Sequence, residues 1–223
     1  MKSRIRLLSC ASLVLAGSVL LQGCGGDDGG LVPSVEFVVP RDTDPGAAQR
    51  PQVTLTVSNG AAVSGTVVIT LVPEYAPQTV ANFLAYVNSG FYTNTIIHRY
   101  EAGFVLQGGG YVSPVTATDQ PVHKATNAAI ALELKVSNVQ GTVAMARTSS
   151  LNSATSEFFI NLVNNSALDL NGGGYAAFGY ITDMTPVTAL TQAPCVSSSI
   201  TQGTTYGCLP VPNLVITSAV RTR

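Results

Sequence analysis

Arg99, Phe104 and Gln107 stand within nine residues of one another in the stretch Ile97 to Gly110, and they supply a cation, an aromatic ring and an amide. A guanidinium is a planar fork of donors that suits carbonyl oxygens. Charged residues make up only 10% of the chain, and Ile96, Ile97 and Tyr100 flank this arginine, so Arg99 is expected to be partly buried. A buried guanidinium needs acceptors, which either the protein or a ligand carbonyl must provide. From the local residues alone two readings stand: a donor fork aimed at a peptide group, or an ordinary ion pair with Glu101 or another acid.

Other common chemistries are poorly represented. There are two histidines, His98 and His123, and no serine in a Gly-x-Ser-x-Gly turn, which argues against a triad hydrolase. His98 lies in an apolar run and reads as a core histidine; His123 follows a turn and has no partner identifiable from sequence. The carboxylates Glu74, Glu101, Glu133, Glu157, Asp169 and Asp183 are scattered singly, and no metal-ligand spacing occurs. No metal site is therefore expected. The glycine runs 108–110 and 172–174 lack the lysine of a phosphate loop, so tight turns or close backbone approach explain them better.

The elements that must hold Arg99 are mostly strands. Val53 to Val57 alternates, turns at Ser58-Asn59-Gly60 and resumes from Gly65 to Leu71, which reads as a hairpin. Further strands are expected at 95–100, 104–108, 141–146, 157–163, 176–181 and 214–220. The clearest helix runs from Ala76 towards Gly90, with Val80, Phe83, Leu84 and Val87 on one face, Pro77 at its start and Gly90 as its stop. A second, short helix is expected after Asp183. Many short strands and few helices argue a β-barrel or a sandwich.

The 223 residues, 46% of them apolar, are enough for one domain with a substantial core. The first 23 differ: Lys2, Arg4 and Arg6 precede an apolar run from Leu7 to Leu21, the pattern of an export signal rather than a membrane span. The run ends at Leu21-Gln22-Gly23-Cys24, which resembles a bacterial lipobox, with Cys24 as the lipidated first residue of the mature chain. An ordinary cleaved signal with a leftover thiol is the alternative. Loss of the three cations would shift the formal net charge of -1 further negative, which gives no footprint for nucleic acid. Residues 24–50, rich in glycine and proline, are expected to be a flexible tether, with Val35 to Val39 as a possible short strand. The folded domain is expected over 51–223. Cys195 and Cys208 remain as a pair around a small, polar segment, which suggests a disulfide on a surface loop; metal binding is the alternative. Cutting that bridge is expected to leave the site largely untouched.

Several motifs occur together, in the order and spacing of one family: Ala76-Pro77-Gln78-Thr79-Val80-Ala81-Asn82-Phe83, Ile97-His98-Arg99, Phe104 to Gly110, Gly141 to Arg147, Ser156-Glu157-Phe158-Phe159-Ile160 and Phe178-Gly179. Over residues 51 to 223 the chain resembles the cyclophilins, and is most similar to their bacterial periplasmic branch. The resemblance implies a closed eight-stranded antiparallel β-barrel capped by two helices, with the site on its outer face. It implies isomerisation of X–Pro bonds in polypeptides without a cofactor. It assigns catalysis to Arg99, Phe104 and Gln107, and substrate binding to Val105, Ala146, Arg147, Phe159, Leu168 and Tyr175. Val105, Glu157 and Ala167 depart from the family's usual methionine, glutamine and aromatic residue, and Ala167 is expected to open one wall of the pocket. A non-catalytic peptide-binding module on the same fold is the competing reading. Strict strand alternation places Phe104 and Gln107 on opposite faces, so Phe104 must precede its strand or sit at a bulge. Together with Cys24, these features point to a monomer attached through lipid to the bacterial envelope, at the outer membrane facing the periplasm, and acting on exported proteins.

Overall fold

The computed structural model describes residues 35–115, 122–197 and 207–223. Among the described residues ten strands form one antiparallel sheet: β1 (Gln52–Ser58), β2 (Ser64–Leu71), β3 (Thr95–Tyr100), β4 (Val105–Val112), β5 (Thr142–Met145), β6 (Phe158–Asn161), β7 (Ala177–Tyr180), β8 (Cys195–Ser197), β9 (Cys208–Pro210) and β10 (Leu214–Arg221). Eight of them run in the order β10-β1-β2-β7-β5-β6-β4-β3, and pairing of β10 with β3 closes the barrel. The β8–β9 hairpin extends the sheet outside the closed ring, alongside β3. Closure removes the open edges that would otherwise invite pairing with other chains.

β1 shows how sequence pattern becomes a barrel wall. Val53, Leu55 and Val57 are buried while the residues between them are half-exposed, as the period of two requires. The interior is filled from α1 (Pro77–Asn88) by Phe83, whose ring meets those of Tyr92, Phe158 and Phe178 at centroid distances of 4.9–5.8 Å. The first-turn donors of α1 are met by Glu133, whose carboxylate accepts hydrogen bonds from the Gln78 and Thr79 amides and the Thr79 hydroxyl. The second helix, α2 (Thr185–Leu190), follows Asp183 as expected. Pro186 lies in its first turn, where its missing N–H costs nothing, and the Asp183 carboxylate accepts the Thr185 amide at 2.9 Å.

Two expectations need correction. Residues 35–50 are not a free tether: they belong to the same compact unit as the barrel, which begins at Val35 rather than at Pro51. Val38 makes a parallel bridge to Val136, and its backbone is bonded to Lys135 and Ser137. Arg50, 4% exposed, fastens the segment by donating to Asp44, Glu74, the Arg41 carbonyl and the Tyr180 hydroxyl. The Tyr180 hydroxyl in turn donates to Asp42 at 2.6 Å. Composition suggested a tether because glycines, acids and scattered prolines recur through 24–50, but one buried arginine with several partners outweighs that average. The rest of the expected signal and tether, residues 1–34 with Cys24, lies outside the described residues.

Candidate functional site

The barrel carries two apolar layers on opposite sides of its wall. One is the interior around Phe83; the other lies outside and includes Val105, Ala144, Phe159 and Ala177, with Phe104, Ala146, Leu168 and Tyr175 packed at its margin. Strand register explains why this outer patch meets a cation. Arg99 pairs with Gln107, Gln107 with Phe159 and Phe159 with Ala144, so four residues from β3, β4, β6 and β5 form one row across the sheet. Cross-strand partners share a face. Val105, two residues before Gln107, lies on that face too.

Phe104 precedes β4, in a turn with Gly103 at φ 70°, and the β3–β4 register shifts between Ile97 and Arg99. Phe104 and Gln107 therefore reach the same cleft despite their spacing. Gly108 lets β4 pass close to β3, because a Cβ there would lie 2.7 Å from the Ile96 carbonyl oxygen.

The resulting cleft encloses about 510 Å³ and is lined by all nine residues named for the site: Arg99, Phe104, Val105, Gln107, Ala146, Arg147, Phe159, Leu168 and Tyr175. Ala167 is exposed and does not line it, which leaves that wall to Leu168 and Tyr175. A buried polar network fixes the wall from below. Asp169 accepts from the Ser137 hydroxyl and from the backbone and side chain of Asn138, which also donates to the Tyr175 carbonyl. Asn165 donates to the Phe104 carbonyl and to Asn161.

The two arginines differ in how their donors are used. Arg147 lies over the Tyr175 ring at 4.4 Å and gives its hydrogen bonds to the carbonyls of Thr148, Gly172 and Gly174, so it is committed to building the wall. Arg99 donates from Nη1 to the side-chain Oε1 of Gln107 at 3.2 Å and from Nη2 to Glu101, with its guanidinium 5.7 Å from the Phe104 ring. A guanidinium has five N–H donors. Arg99 lines the cleft with its side chain 18% exposed, and its bonds to Gln107 and Glu101 leave donors of the fork unspent among the described residues.

Sequence reasoning missed the other half of the cleft, formed by His98, Tyr111, His123, Thr148, Ser153, Thr155 and Glu157. Glu157 is its centre. Its Oε2 accepts from the Gln107 amide at 2.9 Å, its Oε1 lies 2.9 Å from His123 Nε2, and His98 Nε2 is 3.4 Å away. Both ring nitrogens of His123 face acceptors, since Nδ1 is 2.9 Å from the Lys124 carbonyl; the imidazolium satisfies both. The hydrogen bond to Glu157 accordingly raises the His123 pKa, against partial burial. For Glu157 burial pushes the pKa up, but His123, His98 and Gln107 together hold it below the usual carboxylate value. Burial pushes the His98 pKa down and keeps it neutral. The one sequence signal for this cluster was Glu157 standing where glutamine is usual.

This geometry agrees with the comparisons. A family model described as cyclophilin type peptidyl-prolyl cis-trans isomerase matches residues 53–207. Peptidyl-prolyl cis-trans isomerase B of Escherichia coli is 42% identical over 126 residues, which cover 53% of this chain and 73% of that protein. Isomerase A of Dickeya dadantii is 45% identical over 123 residues, covering 53% of this chain and 61% of its own. A crystal structure of a cyclophilin type isomerase from Cryptosporidium parvum superposes with a TM-score of 0.60 at 22% identity, over 78% of this chain and 98% of that one, and bears out the eight-stranded barrel with two helices. With the match spanning most of the barrel, the chain belongs to the cyclophilin-type peptidyl-prolyl cis-trans isomerase family.

Proposed function

We propose that this isomerase acts on X–Pro bonds of exported polypeptides while anchored to the bacterial envelope, with Arg99, Phe104 and Gln107 as its catalytic residues. The observation that carries the catalytic part is a guanidinium with unspent donors at the edge of an apolar slot. An X–Pro bond rotates slowly because amide resonance imposes a barrier of about 18–20 kcal/mol. Twisting the amide breaks that resonance and leaves a lone pair on the proline nitrogen. Phe104, Val105, Phe159 and Leu168 grip the proline ring, Ala146, Arg147 and Tyr175 border it, and Arg99 donates to the nitrogen or the turning carbonyl. Donors that match the twisted amide better than either planar form lower the barrier. No nucleophile is used, and the bond is rotated without being broken.

The envelope part rests on the lipobox-like Leu21-Gln22-Gly23-Cys24 and the export signal before it. With lipid on Cys24, residues 24–34 would link the anchor to the folded unit, and a chain of that length extends at most about 40 Å. Two or more acyl chains hold a protein stably where one does not. Gly25 after the cysteine favours the outer membrane, the protein facing the periplasm as a monomer. The test uses the full chain expressed in a bacterium. Wild type should fractionate with the outer membrane and Cys24→Ser with the soluble envelope fraction, both accelerating isomerisation of an X–Pro peptide. Membrane recovery of Cys24→Ser would refute the anchor. A protein that binds such peptides without accelerating their exchange would instead be the binding module.

A further inference from the structure

We infer that the disulfide-stapled β8–β9 hairpin positions Arg99, with Gly207 as the residue that does so; this rests on Arg99 acting on the substrate. The hairpin lies outside the eight-stranded ring, and from sequence the site is expected to be largely untouched when its bridge is cut. The structure instead docks it on β3, where Cys208 pairs with Tyr100, the residue next to Arg99. Gly207 lies directly on the arginine stem. A Cβ at this position would be 2.9 Å from Arg99 Cγ, 3.0 Å from Nε and 3.3 Å from Cδ, too close for any other residue unless the stem moves. Arg99 Nε is buried with no hydrogen-bond partner among the described residues, as expected for an edge covered by backbone rather than water.

Arg99 is thus held on several sides. Gly207 covers its stem, the Phe104 ring faces its guanidinium, and Gln107 and Glu101 take one donor each. Without the cover, a long side chain with several free torsions gains rotamers that point away from the cleft. Side-chain entropy of this size corresponds to roughly a tenfold loss in the population of the productive rotamer.

The Cys195–Cys208 bond is what keeps the cover in place. β9 is anchored at its centre by Leu209, buried with Ile96 and Val115, and just beyond its far end by the Val211 amide bonded to the Pro194 carbonyl. Its near end, which carries Gly207, is held by single register pairs of Cys208 with Tyr100 of β3 and with Ser197 of β8, and by the disulfide to β8. Reduction by a dithiol breaks the S–S bond and forms two thiols while the reductant becomes a disulfide. The near end then frays while Leu209 stays docked. Turnover falls, and the proline slot, which contains no hairpin residue, retains its affinity.

The experiment compares the full chain in detergent micelles, oxidised and treated with dithiothreitol, with Gly207→Val, the double variant Cys195→Ala/Cys208→Ala, and Val196→Ala. Val196 is 39% exposed on the same hairpin and lies outside the cleft lining. Exchange NMR on an X–Pro peptide should show kcat about tenfold lower for the reduced protein, Gly207→Val and the double cysteine variant, with KM within twofold. Val196→Ala should match wild type, and the double cysteine variant should no longer respond to dithiothreitol. Hydrogen exchange at Arg99 Nε, a readout independent of activity, should be slow in the oxidised protein and faster on reduction. The inference fails if reduced protein and Gly207→Val keep kcat within twofold, if Val196→Ala loses as much as Gly207→Val, or if Nε exchange does not change on reduction. An oxidised wild type that does not isomerise the peptide would count against the functional reading, and Nε exchange would still decide the positioning.

Discussion

Replacing Arg99 separates rate from fold. In Arg99→Ala the donors that face the cleft disappear, and so do the hydrogen bond to Gln107 and the ion pair with Glu101. Removing one pre-positioned donor from a developing charge typically costs 10²–10³ in rate, about 2.7–4 kcal/mol of barrier. The structural cost is smaller. Glu101 has a side chain 20% exposed and can be solvated, and the Gln107 amide keeps its bond to Glu157, so about 1–2 kcal/mol of stability is lost. That is well within the 5–15 kcal/mol margin of a typical domain. Arg99→Lys keeps the charge but not the fork, so it cannot serve Gln107, Glu101 and substrate together; a loss of about tenfold to a hundredfold is expected. Exchange NMR on a short X–Pro peptide gives the rate, and thermal unfolding of the same samples gives the fold. Should Arg99→Ala keep its rate within threefold of wild type with an unchanged melt, the assignment of the guanidinium to the twisted amide is wrong.

Two further outcomes test other parts of the structure. Arg50→Ala leaves Asp44, Glu74 and Tyr180 without their shared cation; because Asp44 and Glu74 are 29% and 41% exposed, a loss of about 2–3 kcal/mol is expected, below the 3–5 for a fully buried pair, and urea unfolding with the same midpoint as wild type would contradict it. The His123–Glu157 pair is a pH-dependent contribution. His123 has its pKa raised above the ordinary 6.5, so its stabilisation is complete below that value and lost as pH rises through the raised one; Glu157 has its pKa lowered, so its part is lost as pH falls through a value below 4.5. Neutral, buried His98 acts in the opposite sense, losing stability as pH drops below 6.5. Subtracting the melting profile of Glu157→Gln from that of wild type should leave a difference largest in mildly acidic solution and shrinking above neutrality. A difference that grows with pH would refute the pairing.

Helix α1 was legible because Val80, Phe83, Leu84 and Val87 recur at helical spacing and Gly90, at φ 68°, ends it. The carboxylate that caps it was not, because Glu133 is 54 residues from Thr79. The same contrast runs through the site. Arg99, Phe104 and Gln107 are close in sequence and their types announce themselves, whereas the second half of the cleft is assembled from segments whose residues read as ordinary in isolation. His123 showed no partner because its partner, Glu157, is 34 residues on. Asp169 looked like a stray acid, yet it holds Ser137 and Asn138 beneath the slot. Gly207 carries no side chain to suggest a role, and its contact with Arg99 exists only because the hairpin folds back on β3. Patterns of period and spacing report the elements; contacts between distant elements come from topology, which here the family resemblance supplied.

The choice first posed by Arg99, ion pair or ligand donor, turns out not to be exclusive. The pair with Glu101 forms and the guanidinium still borders the cleft, because Glu101 and Gln107 take one donor each of its five. A lysine in that place could not do both: its single ammonium would be drawn to Glu101 and away from the slot. Glu101 also neutralises part of the charge in the ground state, which lowers the cost of holding a half-buried cation before substrate arrives. Glu157 acts in a similar way one residue further out. As a carboxylate it can only accept, so it fixes the Gln107 amide with its nitrogen outward and its oxygen towards Arg99. A glutamine in its place could present either end. The departure from the usual residue therefore makes the orientation of the arginine's neighbour less ambiguous, and brings His123, the one group in the cleft that titrates upward from 6.5, into hydrogen-bonded contact with the same relay.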